Sequence, residues 1–325
     1  MTADFVHNVS PGFIQGAPDL LDPKVLGMPL TGTAWYLDPT NGSDSNSGRS
    51  ASDAFATLPT AYAALTAGQH DTLFYIAGSS SITLSAAFTW SKDYTHFIGV
   101  CAPNGVGNRA RIFQLAASAI SPLITVSGDG CIFYNIYTFQ GVDEATSLIN
   151  WLITGERNFF SNMHFAGGGH ATNAVDGCSS LTINGGGENR FVRCTFGVDT
   201  IAAATGVACL SFTDAGATAR NVFEDCNFTI QAGDTAAMFI ESLGNTSTDR
   251  YQLFKRCTFI NDAEATALAS AIVAPATNGP KWWLFQDCMF VQVTKVDAND
   301  RALVYGNMNA YTAADLGGVA VLLNV

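Results

Sequence analysis

Two acidic side chains, Asp214 and Glu241, stand just ahead of Gly216 and Gly244, glycines that close short strand-like segments. Glycoside hydrolysis needs two carboxyl groups about 5–10 Å apart, one to protonate the leaving oxygen and one to act as base or nucleophile. Segments laid side by side would bring these two acids within that reach. Asp176, Glu188 and Glu224 are further candidates of the same kind. The neighbouring segments carry Asn184 or apolar and small residues at the corresponding positions, so no ladder of acids extends beyond the pair.

Other chemistries find less support. A lyase centre needs several carboxylates near a cation, but Lys and Arg total 15, and Arg157, Arg190, Arg220, Arg250 and Lys281 recur ahead of one class of segment, as a structural column would. Asp44-x-Asn46-x-Gly48 opens like a calcium loop, yet Phe55 stands where the closing Glu belongs, and an Asx-rich turn is the reading. The five histidines, His7, His70, His96, His164 and His170, have no metal spacing, and His164, between Met163 and Phe165, is expected on the surface. The glycine-rich stretches AGGGHATN and INGGGENR lack the Lys-Ser/Thr of a phosphate loop and read as tight turns. No Ser-His-Asp set is evident, and neither a cofactor nor a metal is expected.

The elements that must carry these residues are written as a repeat. Phe-x-x-Cys-x-Phe occurs as FVRCTF, FEDCNF, FKRCTF and FQDCMF, with Cys194, Cys226, Cys257 and Cys288 spaced 31 or 32 residues apart. FSNMHF puts Met163 in the same slot one step earlier, and CIFYNIYTF at 131–139 is a degenerate copy. A fixed period of this size marks a repeat architecture. A second set of segments, LITVSG, NWLITG, LTING, LSFTDAG, MFIESLG and IVAPATNG, precedes each copy, and Cys178 and Cys209 fall one period apart within it. Richness in Phe, Ile, Thr and Cys, with few runs at helical spacing, makes these strands. Residues three apart on a straight strand face opposite ways, so a bend between Phe191 and Cys194 is needed to bury both. Stacked coils then align Phe191, Phe223, Phe254 and Phe285 in one file and the four cysteines in another. The residue ahead of each Cys runs Asn162, Arg193, Asp225, Arg256, Asp287, an alternation that suits neighbours on adjacent strands.

At this point the chain resembles right-handed parallel β-helix proteins of the pectate-lyase-like family. Residues 35–79, beginning WYLDPTNGSDSNSGRS, are similar to the family's entry segment: a strand, an Asx/Gly loop, a capping helix and the first coil. Pro59 suits a helix's first turn, Leu58, Ala61, Tyr62 and Leu65 give its apolar stripe, and Gly68 its stop, which sets a capping helix at about 58–67. The resemblance implies an all-β, single-stranded right-handed β-helix over 34–310. The family includes polysaccharide lyases and hydrolases as well as bacteriophage tailspikes and capsid decoration proteins, often trimeric.

Composition narrows the choice. The chain has 325 residues, 48% hydrophobic and 13% charged, with net charge −12 and no basic cluster, which argues against nucleic-acid binding. No apolar run reaches the roughly 18 residues of a membrane helix. The first residues lack a basic segment followed by an apolar one, which predicts a protein made and kept in a reducing cytosol, its eight cysteines unpaired and buried. Residues 1–33 have no periodicity but many large apolar groups, and they read as an extended arm that orders on a partner through Phe5, Phe13, Ile14, Leu20, Leu21 and Leu26. Residues 311–325 read as a closing or interface segment. The expectation is thus a non-enzymatic virion protein: a trimeric capsid decoration protein, held by its arm to the major capsid protein or another virion protein. The alternatives are a tailspike-like or lyase-like carbohydrate-active β-helix acting on a surface polysaccharide, and a non-catalytic glycan-binding module.

Overall fold

Residues 32–116, 118–213, 218–244, 247–274, 282–297 and 302–305 are described by the computed structural model, with only short strands at 13–14, 17–18 and 321–322 beyond them. The partner-binding arm residues and the closing segment 311–325 therefore fall outside the described side chains. The described chain is an all-β parallel solenoid. Each coil runs through three sheets, which hold eleven, eight and seven strands among the described residues.

The first sheet carries the Phe-x-x half of each motif, as in Arg190–Val192, Val222–Glu224 and Tyr251–Lys255. The second carries the x-Phe half, as in Arg111–Gln114, Tyr137–Phe139 and Asn227–Ala232. The third holds the preceding segments, as in Ser179–Ile183, Ala208–Phe212 and Met238–Ser242. All pairings between successive coils are parallel; antiparallel pairs occur only near the chain ends, such as Leu303 with Leu322.

The bend inside Phe-x-x-Cys comes from one residue. Asn135, Asn162, Arg193, Asp225, Arg256 and Asp287 all have φ between +51° and +60°. That single left-handed residue turns the chain and sends the flanking Phe and Cys to the same side. Phe133, Phe160, Phe191, Phe223, Phe254 and Phe285 consequently stack face to face, centroids 4.7–4.9 Å apart. Phe165, Phe196, Phe228, Phe259 and Phe290 form a second stack at 4.5–5.1 Å, edge-on to the first. Cys194, Cys226, Cys257 and Cys288 are buried between the stacks, each thiol donating to a Phe carbonyl of the coil below. A coil of constant cross-section demands this repetition, because a smaller residue would open a void and a larger one would strain its neighbours.

A buried amide ladder ties the turn between the third and first sheets. Asn158 accepts from the Cys131 N–H, Asn189 from the Asn158 N–H, and Asn221 from the Asn189 N–H. Their side-chain amides donate back to Gly128, Gly155 and Gly186 carbonyls. These bonds satisfy backbone groups that no strand pairs.

Several sequence expectations shift. The capping helix spans Leu58–Ala64 rather than reaching 67, because Leu65 has already turned extended and its N–H closes on the Tyr62 carbonyl. Cys178 and Cys209 are one period apart yet not in register: Ser179 pairs with Ala208, a shorter step set by the loop between them. Arg190 leaves the predicted cationic column. The residues at that turn are Arg157, Glu188, Arg220 and Arg250, all at φ near +55°, and Arg157 and Arg220 both bond Glu188. Lys281 is outside the described residues. Among the described residues no helix is long and apolar enough to cross a membrane.

Candidate functional site

Acids that look alike in sequence differ sharply in their surroundings. Glu224 lies on the outer face of the first sheet and bonds Arg190 and Arg256 at 2.6 Å each, with Lys255 at 3.7 Å. The Arg190 and Arg256 hydrogen bonds hold its carboxyl down at about 2, so it is a fixed charge near neutral pH. Glu188 is spanned by Arg157 and Arg220 in the same structural manner. Asp214 lies outside the described residues.

Glu241 is different. In its strand, Met238–Ser242, the consecutive Phe239 and Ile240 are both fully buried, their N–H groups sharing the Ala271 carbonyl, and Glu241 lies on the outer face of the third sheet. Parallel register places it between Ser211 on one side and Val273 on the other. The Ser211 hydroxyl donates to Glu241 Oε2 at 3.0 Å. Among the described residues no Arg or Lys lies within ion-pair distance. The side chain is half-buried, and burial pushes its carboxyl up, only partly opposed by the Ser211 hydrogen bond and reinforced by the negative charge of Asp176. Asp176 comes from the loop ahead of Ser179–Ile183, two coils from Glu241, and packs against Gly206, where any Cβ would strike its carboxylate. The predicted partner Asp214 falls outside the described residues; the described acid whose charge reaches Glu241 is Asp176.

The histidines also separate. His164 does point out of the tube, yet it is buried, which corrects the surface assignment. The loop at 101–110 folds over it: the Gly107 N–H donates to Nδ1 at 3.1 Å, Nε2 bonds the Gly197 carbonyl at 3.1 Å, and the ring stacks on Tyr137. Burial lowers its imidazole to about 4. His96 is likewise lowered to about 4, by burial and then by the facing His70, whose Nδ1 is 3.2 Å from its Nε2. Asp44 does not close an Asx turn within its own loop: its carboxylate reaches across to accept from the Ala56 and Thr57 N–H groups and the Thr57 hydroxyl ahead of the capping helix. Among the described residues no group of three or more His, Cys, Asp or Glu could hold a metal ion. Trp283 is buried against Phe212, whereas Trp282 is exposed.

No protein-family model matches the chain, and no curated protein matches it in sequence. Solved structures do share its fold. Pectin methylesterase PemA from Erwinia chrysanthemi superposes with a TM-score of 0.60 at 13% identity, over 90% of this chain and 94% of that one. A rhamnogalacturonan lyase gives 0.59 at 14% identity, over 86% and 73%. Pectate lyase Pel9A gives 0.51 at 13% identity, over 90% and 82%. At such identities the likeness is one of fold, a parallel β-helix. The expectation that the chain is not an enzyme is contradicted by these neighbours, a methylesterase and two lyases that share its fold over most of its length.

Proposed function

We propose that the protein is a carbohydrate-active β-helix that cleaves a surface polysaccharide, with Glu241 as general acid and Asp176 as the second carboxylate. The observation that carries this reading is the Glu241 carboxyl: half-buried, raised by that burial, free of any described basic partner and open to the outer face of a sheet. A protonated carboxyl there can deliver its proton to a glycosidic oxygen as the bond to the sugar breaks. Ser211 orients it, Asp176 serves as the second carboxyl group toward the cationic sugar that develops, and a water captures that sugar to complete the hydrolysis.

The tailspike-like form of this reading gives the apolar arm at 1–33 the task of attachment to a virion, while the β-helix meets the polysaccharide. The arm's large apolar residues, set without periodicity, support this assignment.

Release of reducing ends from a panel of bacterial capsular, O-antigen and pectic polysaccharides tests the activity. Glu241→Gln is expected to lower the rate at least a hundredfold with the circular dichroism unchanged. Asp176→Asn should lower it less. The wild-type rate should decline as pH rises through the raised Glu241 value, since the acid must be protonated. A Glu241→Gln protein with full activity would end this assignment.

A further inference from the structure

The outer face of the first sheet changes character along the tube. Parallel register sets Tyr36, Phe74, Ile98 and Tyr134 in one column. Leu73, Phe97 and Phe133, one residue earlier on their strands, belong to the core, so the column faces outward. Phe74, Ile98 and Tyr134 form a small apolar cluster of their own, packed by Ala34, Tyr36 and Val100, and the Tyr36 and Phe74 rings stack at 5.5 Å. The same column then runs through Ser161 and Val192 to Glu224, where ion pairs take over. Beside the apolar end lies a groove of about 420 Å³ lined by Tyr36, Ala51, Phe74, Ile76 and Val100. Ala51 is exposed there, and Tyr36, Ile76 and Val100 partly so.

Three observations point to what covers it. First, the chain enters this sheet through Ala34–Leu37, so the residues just ahead of Gly32 depart from the same end of the tube as the groove. The rise of a strand, about 3.3 Å per residue, puts Leu37 about 13 Å beyond Thr33, a length that five or six residues folding back can cover. Second, the free edge of that entry strand is already used. The Tyr36 N–H donates to the Gly48 carbonyl, the Phe55 N–H to the Tyr36 carbonyl and the Asp38 N–H to the Phe55 carbonyl, each at 2.9 Å. A returning segment cannot join as a further strand there and has only the outer face on which to bury apolar groups. Third, the stretch that would return is VLGMPL, residues 25–30, which carries no charge, and its Pro29 brings no N–H that would need a partner. Five lining residues fall far short of the roughly 20–30 a side of a stable interface between two proteins, but they suit a short segment.

We propose that residues 25–30 of the same chain fold back onto this face and fill the groove with their apolar side chains, latching the arm to the first coils. Burial of Leu26, Met28 and Leu30 against Phe74, Ile76 and Val100 offsets the entropy of ordering so short a length. The latch fixes the direction in which residues 1–24 leave the tube, and it leaves Phe5, Phe13 and Ile14 to meet a partner.

Cleavage of the full-length protein by dilute proteinase K, with cut positions read by mass spectrometry, tests the latch against a free peptide of residues 1–33. Bonds within 25–30 are expected to be cut at least tenfold more slowly in the protein than in the peptide, and bonds beside Phe5 at the peptide's rate. Val100→Asp sets a charge in the groove and should abolish that protection with the circular dichroism unchanged. Should Val100→Asp fail to fold, Leu26→Asp combined with Leu30→Asp decides, because both precede the tube: loss of protection supports the latch, and full protection overturns it. Cleavage of 25–30 at the peptide's rate in the unaltered protein overturns it as well, as does protection that survives Val100→Asp in a folded protein. Protection that fades on tenfold dilution also overturns it and assigns the groove to a second copy of the chain. Turnover does not enter these measurements, so they stand or fall apart from the role of Glu241.

Discussion

The coils of 190–291 and those of 72–166 share one fold and two styles of construction. The later coils repeat themselves: Phe over Phe, Cys over Cys, and outer charges that answer one another, as when Arg256 bonds Asp225 and Glu224. The earlier coils fill the same tube with unlike parts. Thr138 and Ile112 replace phenylalanine in the second file, Trp90 and Trp151 press edge-on against Phe133 of the first, and His96, Gln114, Asn135, Gln140 and His164 are buried polar groups with individual partners. Uniform columns need nothing beyond their own register. Unlike parts need specific hydrogen bonds, and each makes the region more sensitive to solvent conditions. The groove at Phe74, Ile76 and Val100 belongs to the earlier coils, while Glu241 is an exception set into the later ones.

The largest effect expected from this contrast is in the files. Phe223 is sandwiched between Phe191 and Phe254 at 4.7 Å on each face and fully buried. Phe223→Ala should cost about 3–5 kcal/mol, the range for emptying a buried aromatic site. Chemical denaturation followed by circular dichroism reads the loss. A cost under 1 kcal/mol would mean that the files are not what holds the later coils together.

Acid should separate the two halves. His96 and His164 are held neutral at about 4, below their ordinary 6.5, so the unfolded chain takes up protons first as pH falls. Their contribution is complete above pH 6.5 and is lost on the way down to about 4, at most about 3 kcal/mol for each. Glu224 acts in the same sense over a lower window: lowered to about 2 from 4.5, it contributes fully above pH 4.5 and is lost as pH falls through 2. The urea midpoint should therefore drop between pH 7 and 4.5, and His164→Gln should flatten that drop. Parallel curves for the two proteins would show that His164 does not carry the pH dependence.

The sequence made one half of this readable and obscured the other. Files of identical residues at a fixed step announce stacking, and the bend between Phe191 and Cys194 follows from strand geometry alone. Asn158, Asn189 and Asn221, each two residues before a file phenylalanine, carried an equally regular signal for the amide ladder. The site was legible only as a residue type. Glu241 was visible, but the acid whose charge reaches it, Asp176, arrives by a loop from two coils away, at a step that departs from the period. His164 is covered by Gly107, 57 residues earlier in the chain, and no local pattern announces such a lid. The outer apolar column lacks any repeat to announce it, since Tyr36, Phe74, Ile98 and Tyr134 give way to Ser161.

The smallest effect comes from one backbone position compared across the two styles. Asn135 and Arg193 occupy the same bend with φ of +60° and +53°, a conformation that glycine adopts without the Cβ penalty. In the later coils the Arg193 side chain is exposed, so Arg193→Gly exchanges relief of that strain for a more flexible unfolded chain. The two nearly cancel, leaving a change within about 1 kcal/mol. In the earlier coils the Asn135 amide donates to the Gly99 and Cys101 carbonyls at 2.9 and 2.8 Å and accepts from Asn162 at 2.7 Å. Asn135→Gly gains the same relief but strands three buried polar groups, so it should cost about 2 kcal/mol. Denaturation of the two proteins side by side measures the difference. Equal costs would mean that the bend is governed by backbone alone and that the buried amides of the earlier coils add nothing specific to it.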